Sequence, residues 1–411
     1  MKKTLFVLLA VLTVMTALVF STFSANAETE GDYTYVVEND CAIISECDDS
    51  ISGDITIPST LGGYPVTGIG DKAFYYCKGL TSVVIPEGVK TIGERAFYYC
   101  VYITKVTIPT SVTTIGQRAF YECQSLESVT LPEGLTTIGT YAFAYCDKLT
   151  SIVIPKSLTF VDGYAFYGCS ILKNVNISDM AAWCAIEFKN AYSNPVNVSC
   201  QLYLNEVLVE ELVIPEGVTT IREFAFCNLL SLKNVVISEG VTSINEKAFG
   251  YCSSLKTVVI PTTLKSIGYY AFTGCNVLES VYYVGSEEQW NEIELGSGSY
   301  AFSSVDRYYN VTKSGWKQVD GDWYYYENYK PVTDKWIEDD SGSYYIDSDG
   351  KMVNDDFVEE ENGWLYLDAN GHRTTETRFK KVNGNWYYLK DGYVKENGYI
   401  KLIRMALFSW C

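Results

Sequence analysis

The stretch "IPEGVKTIGERAFYYC", residues 85–100, returns almost unchanged as "IPTSVTTIGQRAFYEC", residues 108–123. The step between them recurs along the chain. Phenylalanine stands at Phe74, Phe97, Phe120, Phe143 and Phe166, 23 residues apart each time, and resumes that step at Phe226, Phe249 and Phe272. Ile85, Ile108, Leu131, Ile154 and Ile177 move with it, as do Ile214, Ile237 and Ile260. A fixed period of this length means stacked supersecondary units, none of which can bury its apolar face alone.

The logic of one unit is legible in its residues. Leu80, Val83 and Ile85 point inward while Ser82 and Val84 point outward, as a short strand requires. Pro86 ends that strand because it has no N–H to give a ladder. A second extended piece, "VKTIG", turns Val89 and Ile92 inward and stops at Gly93. In "AFYYC" the chain turns back, with Ala96, Phe97 and Cys100 on one helical or turn face. The next coil then stacks about 4.8 Å away.

This phrase resembles the BspA-type leucine-rich repeats of secreted bacterial proteins, over roughly residues 33–310. The resemblance implies an N-terminal cap over 28–56 and repeats over 57–313. Two irregular units, near 179–211 and 282–313, share W-x-x-I-x-F/L: Trp183, Ile186 and Phe188 in one, Trp290, Ile293 and Leu295 in the other. They read as wider coils that close two sub-arrays, 57–200 and 201–313.

The ends and the composition bound the function. Lys2 and Lys3, an apolar run from Leu5 to Phe20, and Ala25-Asn26-Ala27 form a secretory signal peptide over 1–27, too short to span a bilayer. An extracellular protein is expected, secreted or held non-covalently on a bacterial cell wall, with no membrane contact once the signal is removed. A formal net charge of −19 repels phosphate backbones and anionic lipid, so nucleic acid is not an expected partner. Seven of the 13 cysteines share one repeat column: Cys77, Cys100, Cys123, Cys146, Cys169, Cys252 and Cys275. In the remaining full repeat Leu229 fills it, with Cys227 two places earlier. A slot that accepts leucine is a small apolar site, which suits a reduced thiol. The parallel directions of stacked residues fit disulfide geometry poorly. Cys41 with Cys47, or Cys184 with Cys200, are better placed for a bond. With no C-x-x-C pair and one histidine, neither a metal site nor a cofactor is expected.

From Ser314 the rhythm changes to four hairpin-like units of about 20–22 residues. Each sets a first-strand aromatic against a second: Trp316 with Trp323, Trp336 with Tyr344, Phe357 with Trp364, and Phe379 with Trp386. Asp320-Gly321, Asn362-Gly363 and Asn383-Gly384 supply turns. These lines resemble the choline-binding or glucan-binding repeats that attach exported proteins to wall polymers, over roughly 314–398. That likeness implies a small β-hairpin solenoid whose Trp316, Trp323, Tyr325, Trp336, Tyr344, Trp364, Trp386 and Tyr388 occupy the family's aromatic columns. Their ring faces would meet wall polysaccharide or the choline of a teichoic acid. Later units begin Lys-Trp, Asp-Phe and Arg-Phe in place of Gly-Trp, and phenylalanine makes a weaker cation face. The tail over 399–411 abandons the pattern.

The expected fold is therefore mainly β: a leucine-rich-repeat solenoid of 23-residue coils followed by a small β-hairpin solenoid. No enzyme is expected. The single histidine, His372, falls in a turn, and no Gly-rich phosphate loop or HExxH is present. Acidic residues such as Glu87, Glu133, Glu216 and Glu239 stand just after the proline column, which Ser238 fills before Glu239, at exposed repeat positions and read as a solvated rim. Beside the "AF" turn lies a strip of Tyr75, Tyr76, Tyr98, Tyr99, Tyr121, Tyr145, Tyr167 and Tyr251. Tyrosine joins a flat apolar body to a polar tip, as recognition surfaces require. The expected function is that of a surface adhesin or interaction scaffold, its repeats binding a host or bacterial surface protein or glycan and its C-terminal module binding the wall. The alternative is a non-catalytic carbohydrate-binding accessory protein.

Overall fold

The computed structural model describes residues 27–196, 200–298, 300–302, 305–361, 363–375 and 377–394, without the side chains of Tyr300 and Trp386. The expected signal peptide up to Asn26, the turn residue Asn362 and the tail over 399–411 lie outside the described residues. The protein is mainly β, with about 11 solenoid turns followed by small antiparallel sheets.

Each coil contributes one strand to each of two parallel sheets. On one side Leu80–Val84, Lys105–Thr107, Ser128–Thr130, Ser151–Ile154 and Asn174–Ile177 stack in order. Equivalent residues face one another 23 positions apart, as in Ser128 beside Lys105 and Val129 beside Val106. The two-residue strands Thr91–Ile92, Thr114–Ile115 and Thr137–Ile138 form the second ladder. An antiparallel meander of Glu28–Glu30, Tyr33–Glu38 and Cys41–Cys47 covers the N-terminal end and passes the second ladder its first parallel partner, Tyr64–Ile69.

The "AFYYC" segment is a turn, and it carries a third ladder. Phe74, Phe97, Phe120 and Phe143 donate their N–H to the carbonyls of Ala96, Ala119, Ala142 and Ala165 in the next coil, at 2.7–2.8 Å. Two places on, Tyr76, Tyr99 and Tyr145 donate likewise to Tyr98, Tyr121 and Tyr167. Successive bonds of this kind require left-handed backbone, and Tyr76, Tyr99 and Tyr145 hold φ of 63°, 59° and 59°. That conformation costs a non-glycine residue on the order of 1–2 kcal/mol, which the inter-coil bond and ring packing offset.

The Phe column is fully buried, and its rings lie nearly parallel at 4.8–5.6 Å from Phe74 to Phe166. The cysteine column lies beside it. Cys100, Cys123, Cys146 and Cys169 each donate S–H to a phenylalanine carbonyl of the preceding coil at 3.1–3.4 Å. Cys252 and Cys275 do the same. Cysteine therefore fills an apolar slot and places a weak donor on the carbonyl's second lone pair. Burial pushes the thiols of Cys169 and Cys184 up to about 12 and that of Cys227 up to about 11.

The cysteines of the repeat column are free thiols, as are Cys41, Cys47, Cys184 and Cys227, so the expected Cys184–Cys200 bond is not formed. Cys41 and Cys47 cannot bridge, because they occupy opposite ends of one strand, roughly 20 Å apart by its rise. Cys47 instead enters the repeat column, its sulfur 2.8 Å from that of Cys77.

Across the irregular units the core runs without a break from Tyr35 to Phe302. Trp183, on the short helix Met180–Ala185, donates its indole N–H to Ala225 O at 3.0 Å, and Asn194 reaches Phe224 O at 2.8 Å. These two side chains carry the third ladder across the irregularity. The first sheet continues through Gln201–Leu204, which pairs in parallel with Asn174–Ile177, and the next sheet opens at Glu211–Val213. The second sheet ends earlier, at Glu187–Phe188, and its successor opens at Thr220–Ile221, so the two sheets end on either side of position 200.

Candidate functional site

Two surfaces gather the sequence-predicted residues. On the solenoid, Tyr75, Tyr98 and Tyr121 stack at 5.1 and 5.0 Å, and Tyr76 stacks on Tyr99 at 5.0 Å. Tyr145 and Tyr167 meet edge to face at 5.6 Å. Tyr251 stands apart. Cys227 and Asn228 occupy the rungs before it, leaving a cavity of about 570 Å³ lined by Tyr167, Tyr192, Asn228, Lys247 and Tyr251. A second ladder of Tyr141, Tyr164 and Tyr192, at 5.1 and 5.3 Å, was open to the same 23-residue count as far as Tyr164. A ring stacked on both sides shows solvent its edge and hydroxyl and hides its faces. Burial raises the hydroxyl pKa of Tyr98 and Tyr121, and a bond to Glu122 raises that of Tyr99, so these three stay protonated and uncharged at neutral pH.

Two of the acidic repeat positions bond to the next coil. Glu87 accepts from the N–H and hydroxyl of Thr110, and Glu239 from those of Thr262, one coil on. Both tie neighbouring coils together, and Glu239 also lines, with Glu211, Glu216 and Glu327, a cavity of about 1070 Å³ between the solenoid sheet and the first hairpin.

In the C-terminal module the cross-strand partners differ from those expected. Trp316 lies opposite Tyr325, Trp336 opposite Tyr345, Phe357 opposite Tyr366, and Phe379 opposite Tyr388. Trp323, Trp364 and Trp386 lie opposite Gln318, Glu359 and Lys381, and Trp323 and Trp364 are exposed. The turns decide this. A two-residue turn at Asp320-Gly321 fixes Val319 against Asp322, and counting back from it gives Trp316 with Tyr325. The side chain of Trp386 is outside the described residues.

Rings from successive hairpins then meet. Trp316 packs against Tyr325 at 5.1 Å and against Tyr344 of the next hairpin at 4.8 Å, both near perpendicular. Its indole N–H donates to Asp339 Oδ2 at 2.8 Å, a bond that holds the Asp339 carboxyl below the usual carboxylate range and so ionised. The Tyr344 hydroxyl lies 2.7 Å from His372 Nε2. Three predicted residues, a carboxylate and an imidazole thus form one cluster. Among the described residues no Lys or Arg lies over its rings. One hairpin further, Trp336, Tyr345 and Tyr393 form a second cluster with the Arg373 guanidinium over it. In the third, Lys380 lies 4.9 Å from the Tyr366 ring and 3.0 Å from Asp355. Asp339, Tyr345, Arg373, Lys380 and Tyr393 carried no signal in the sequence until the strand register was known.

The two modules touch. Tyr326 of the first hairpin packs with Val259 and Tyr282 on the solenoid sheet and with Val311 in the connection between the modules. The outward row exposed at Val84, Val153 and Val213 is therefore covered at Thr257 and Val259.

The family model for the BspA type leucine rich repeat region matches residues 65–193 and 197–326, more than half of the chain. The protein belongs to the BspA-type leucine-rich repeat family. A cell wall binding repeat of the choline-binding family also matches this BspA-type chain, at residues 334–352 and 377–392. Repeats of these two families serve protein interaction at bacterial surfaces and cell-wall binding. No curated protein matches the chain. Among solved structures it is similar to a leucine-rich repeat protein of T. pallidum (21% identity, 61% of this chain and 90% of that one, TM-score 0.33). It is similar also to a leucine rich cell surface protein of Faecalibacterium prausnitzii (24% identity, 65% and 97%, TM-score 0.31). The pneumococcal vaccine antigen PcpA matches at 16% identity over 70% of this chain and 86% of its own, with a TM-score of 0.38. Among the described residues of the BspA-type chain, no helix is long and apolar enough to cross a membrane.

Proposed function

We propose that this protein is a non-catalytic, surface-associated binding scaffold. The solenoid presents its tyrosine strip to a host or bacterial macromolecule, and the C-terminal repeats hold the chain on wall polymer. The observation that carries the wall-binding half is the cluster of Trp316, Tyr325 and Tyr344 beside the ionised Asp339. Perpendicular aromatic rings next to a carboxylate attract a bulky, weakly hydrated cation, and the choline of a teichoic acid is such a cation. Trp364 and Trp323, exposed on the hairpin faces, supply further flat contact to the polymer.

On the solenoid, the stacking of Tyr75, Tyr98 and Tyr121 favours a protein partner over a sugar. Pyranose rings need free aromatic faces, whereas hydroxyls and ring edges suit peptide groups. The tyrosines bordering the 570 Å³ cavity are where the ladder lapses and a face is open, which leaves the glycan reading one place to act.

The test is co-sedimentation of the full chain with purified choline-bearing cell walls. Binding is expected and is expected to be released by free choline, while Trp316→Ala remains in the supernatant. Retention of Trp316→Ala at the wild-type level would sink the assignment of the site.

A further inference from the structure

The second aromatic cluster is built like the first, yet the chain's own arginine lies on it. The Arg373 guanidinium carbon is 5.6 Å from the Trp336 ring centroid and 5.9 Å from that of Tyr393. Both distances are within the range at which an aromatic face attracts a cation. The Tyr345 ring closes the side of Trp336 at 5.3 Å.

The arginine is anchored at several points. Its Nη2 donates to the Tyr393 hydroxyl at 2.7 Å and to Glu360 Oε2 at 3.4 Å, and Tyr393 donates to the same Glu360 oxygen at 2.5 Å. Its backbone N–H donates to Ser343 O at 3.0 Å, which pins it to the hairpin that carries Trp336. Among the described residues, no lysine or arginine lies over the rings of the first cluster. Arg373 bridges Leu367 just as Met352 bridges Ile346 one unit earlier, and Met352 packs with Trp316 and Tyr325 against the core of Val332, Ile337 and Ile346. Methionine and arginine thus occupy one structural position in successive units, and only the arginine brings a charge to the rings.

We propose that Arg373 is a resident ligand of the Trp336–Tyr345–Tyr393 cluster, filling it against quaternary ammonium so that the first cluster alone takes choline. The inference deepens the wall-binding reading and rests on it. A tethered guanidinium sits at an effective concentration of roughly millimolar or above, so an external cation of weak affinity does not displace it. The Glu360 carboxylate neutralises the arginine and, with it removed, is left to attract whichever cation enters next.

The test is calorimetric titration of the full chain with choline chloride. Arg373→Met copies the residue that the fold already tolerates at Met352 and preserves side-chain bulk. It is expected to raise the number of cholines bound by one over wild type. Arg373→Lys, which keeps a cation, is expected to match wild type, and Trp336→Ala added to Arg373→Met is expected to remove the extra site. An unchanged thermal midpoint in Arg373→Met shows that the hairpins remain folded. Equal choline numbers in wild type and folded Arg373→Met overturn the proposal. No choline on wild type with one on Arg373→Met upholds Arg373 as the occupant and overturns the reading of the Trp316 cluster.

Discussion

Replacing Phe120 by alanine tests the solenoid where its coils depend on each other most. Phe120 is fully buried between Phe97, at 5.2 Å, and Phe143, at 5.3 Å. Removing the ring leaves a cavity that parallel ladders on three sides cannot collapse to fill. A buried Phe→Ala change costs roughly 3–5 kcal/mol, and two lost ring stacks of about 0.5–1.5 kcal/mol each place this site at the upper end. Phe74 stacks on Phe97 alone and meets Tyr33 only edge-on at 6.3 Å, so Phe74→Ala is expected to cost about one stack less. Tyr121, half-buried on the surface strip and stacked only on Tyr98, is expected to lose about 1 kcal/mol. Urea unfolding of the full chain followed by far-ultraviolet circular dichroism measures all three. A Phe120→Ala loss under about 1.5 kcal/mol, or one equal to that of Tyr121→Ala, refutes the stacked core, because it would mean that the ring is not shared between coils.

Alkaline stability follows from the thiols. Cys227, Cys169 and Cys184 hold their protons to about 11, 12 and 12 in the folded chain, well above the ordinary value near 9. Folding therefore binds protons that the unfolded chain has released. Their stabilisation is present below pH 9 and is lost as pH rises toward 11–12, at about 1.4 kcal/mol per pH unit for each thiol; a urea midpoint that stays flat from pH 8 to 10.5 contradicts this. The same burial makes the column unreactive: Cys100 through Cys169 should not react with a thiol reagent in native protein and should all react in urea, and fast native labelling would place them outside the core. Glycine substitutions separate backbone strain from crowding. Gly168 has φ 79°, and an added Cβ would lie 2.5 Å from the Tyr145 ring, whereas Gly217, at φ 88°, has open space. Gly217→Ala is expected to cost about 1 kcal/mol by thermal unfolding, and Gly168→Ala at least 1 kcal/mol more; equal losses refute the ring's position.

The solenoid was legible because one residue choice repeats in register. Phe, Ile and Cys spaced 23 apart leave a single way to bury them, so inward Val83 and Val89 and outward Ser82 and Val84 followed directly. What the pattern did not contain was the reach of side chains between unlike units. Trp183 and Asn194 carry the ladder over the irregular coil, and no period predicts a hydrogen bond to Ala225. Cys41 and Cys47 paired well as letters and fail as geometry, because one strand holds both. In the aromatic module, runs such as Tyr324-Tyr325-Tyr326 offer several partners to Trp316, and only the turn count selects Tyr325. Arg373 was illegible for a related reason: its target rings belong to Trp336, a whole hairpin away on one side, and Tyr393, with two strands between on the other.

Amide hydrogen exchange on the full chain tests most directly whether these coils form one stacked rod. The N–H groups of Phe74, Phe97, Phe120 and Phe143 each bond to the next coil, as do those of Phe226 and Phe249. Slow exchange is predicted at these six amides, recurring every 23 residues inside turn segments that would otherwise exchange quickly. Fast exchange at the phenylalanines, or protection confined to the strand residues, would contradict the three-ladder solenoid on which the binding surfaces depend.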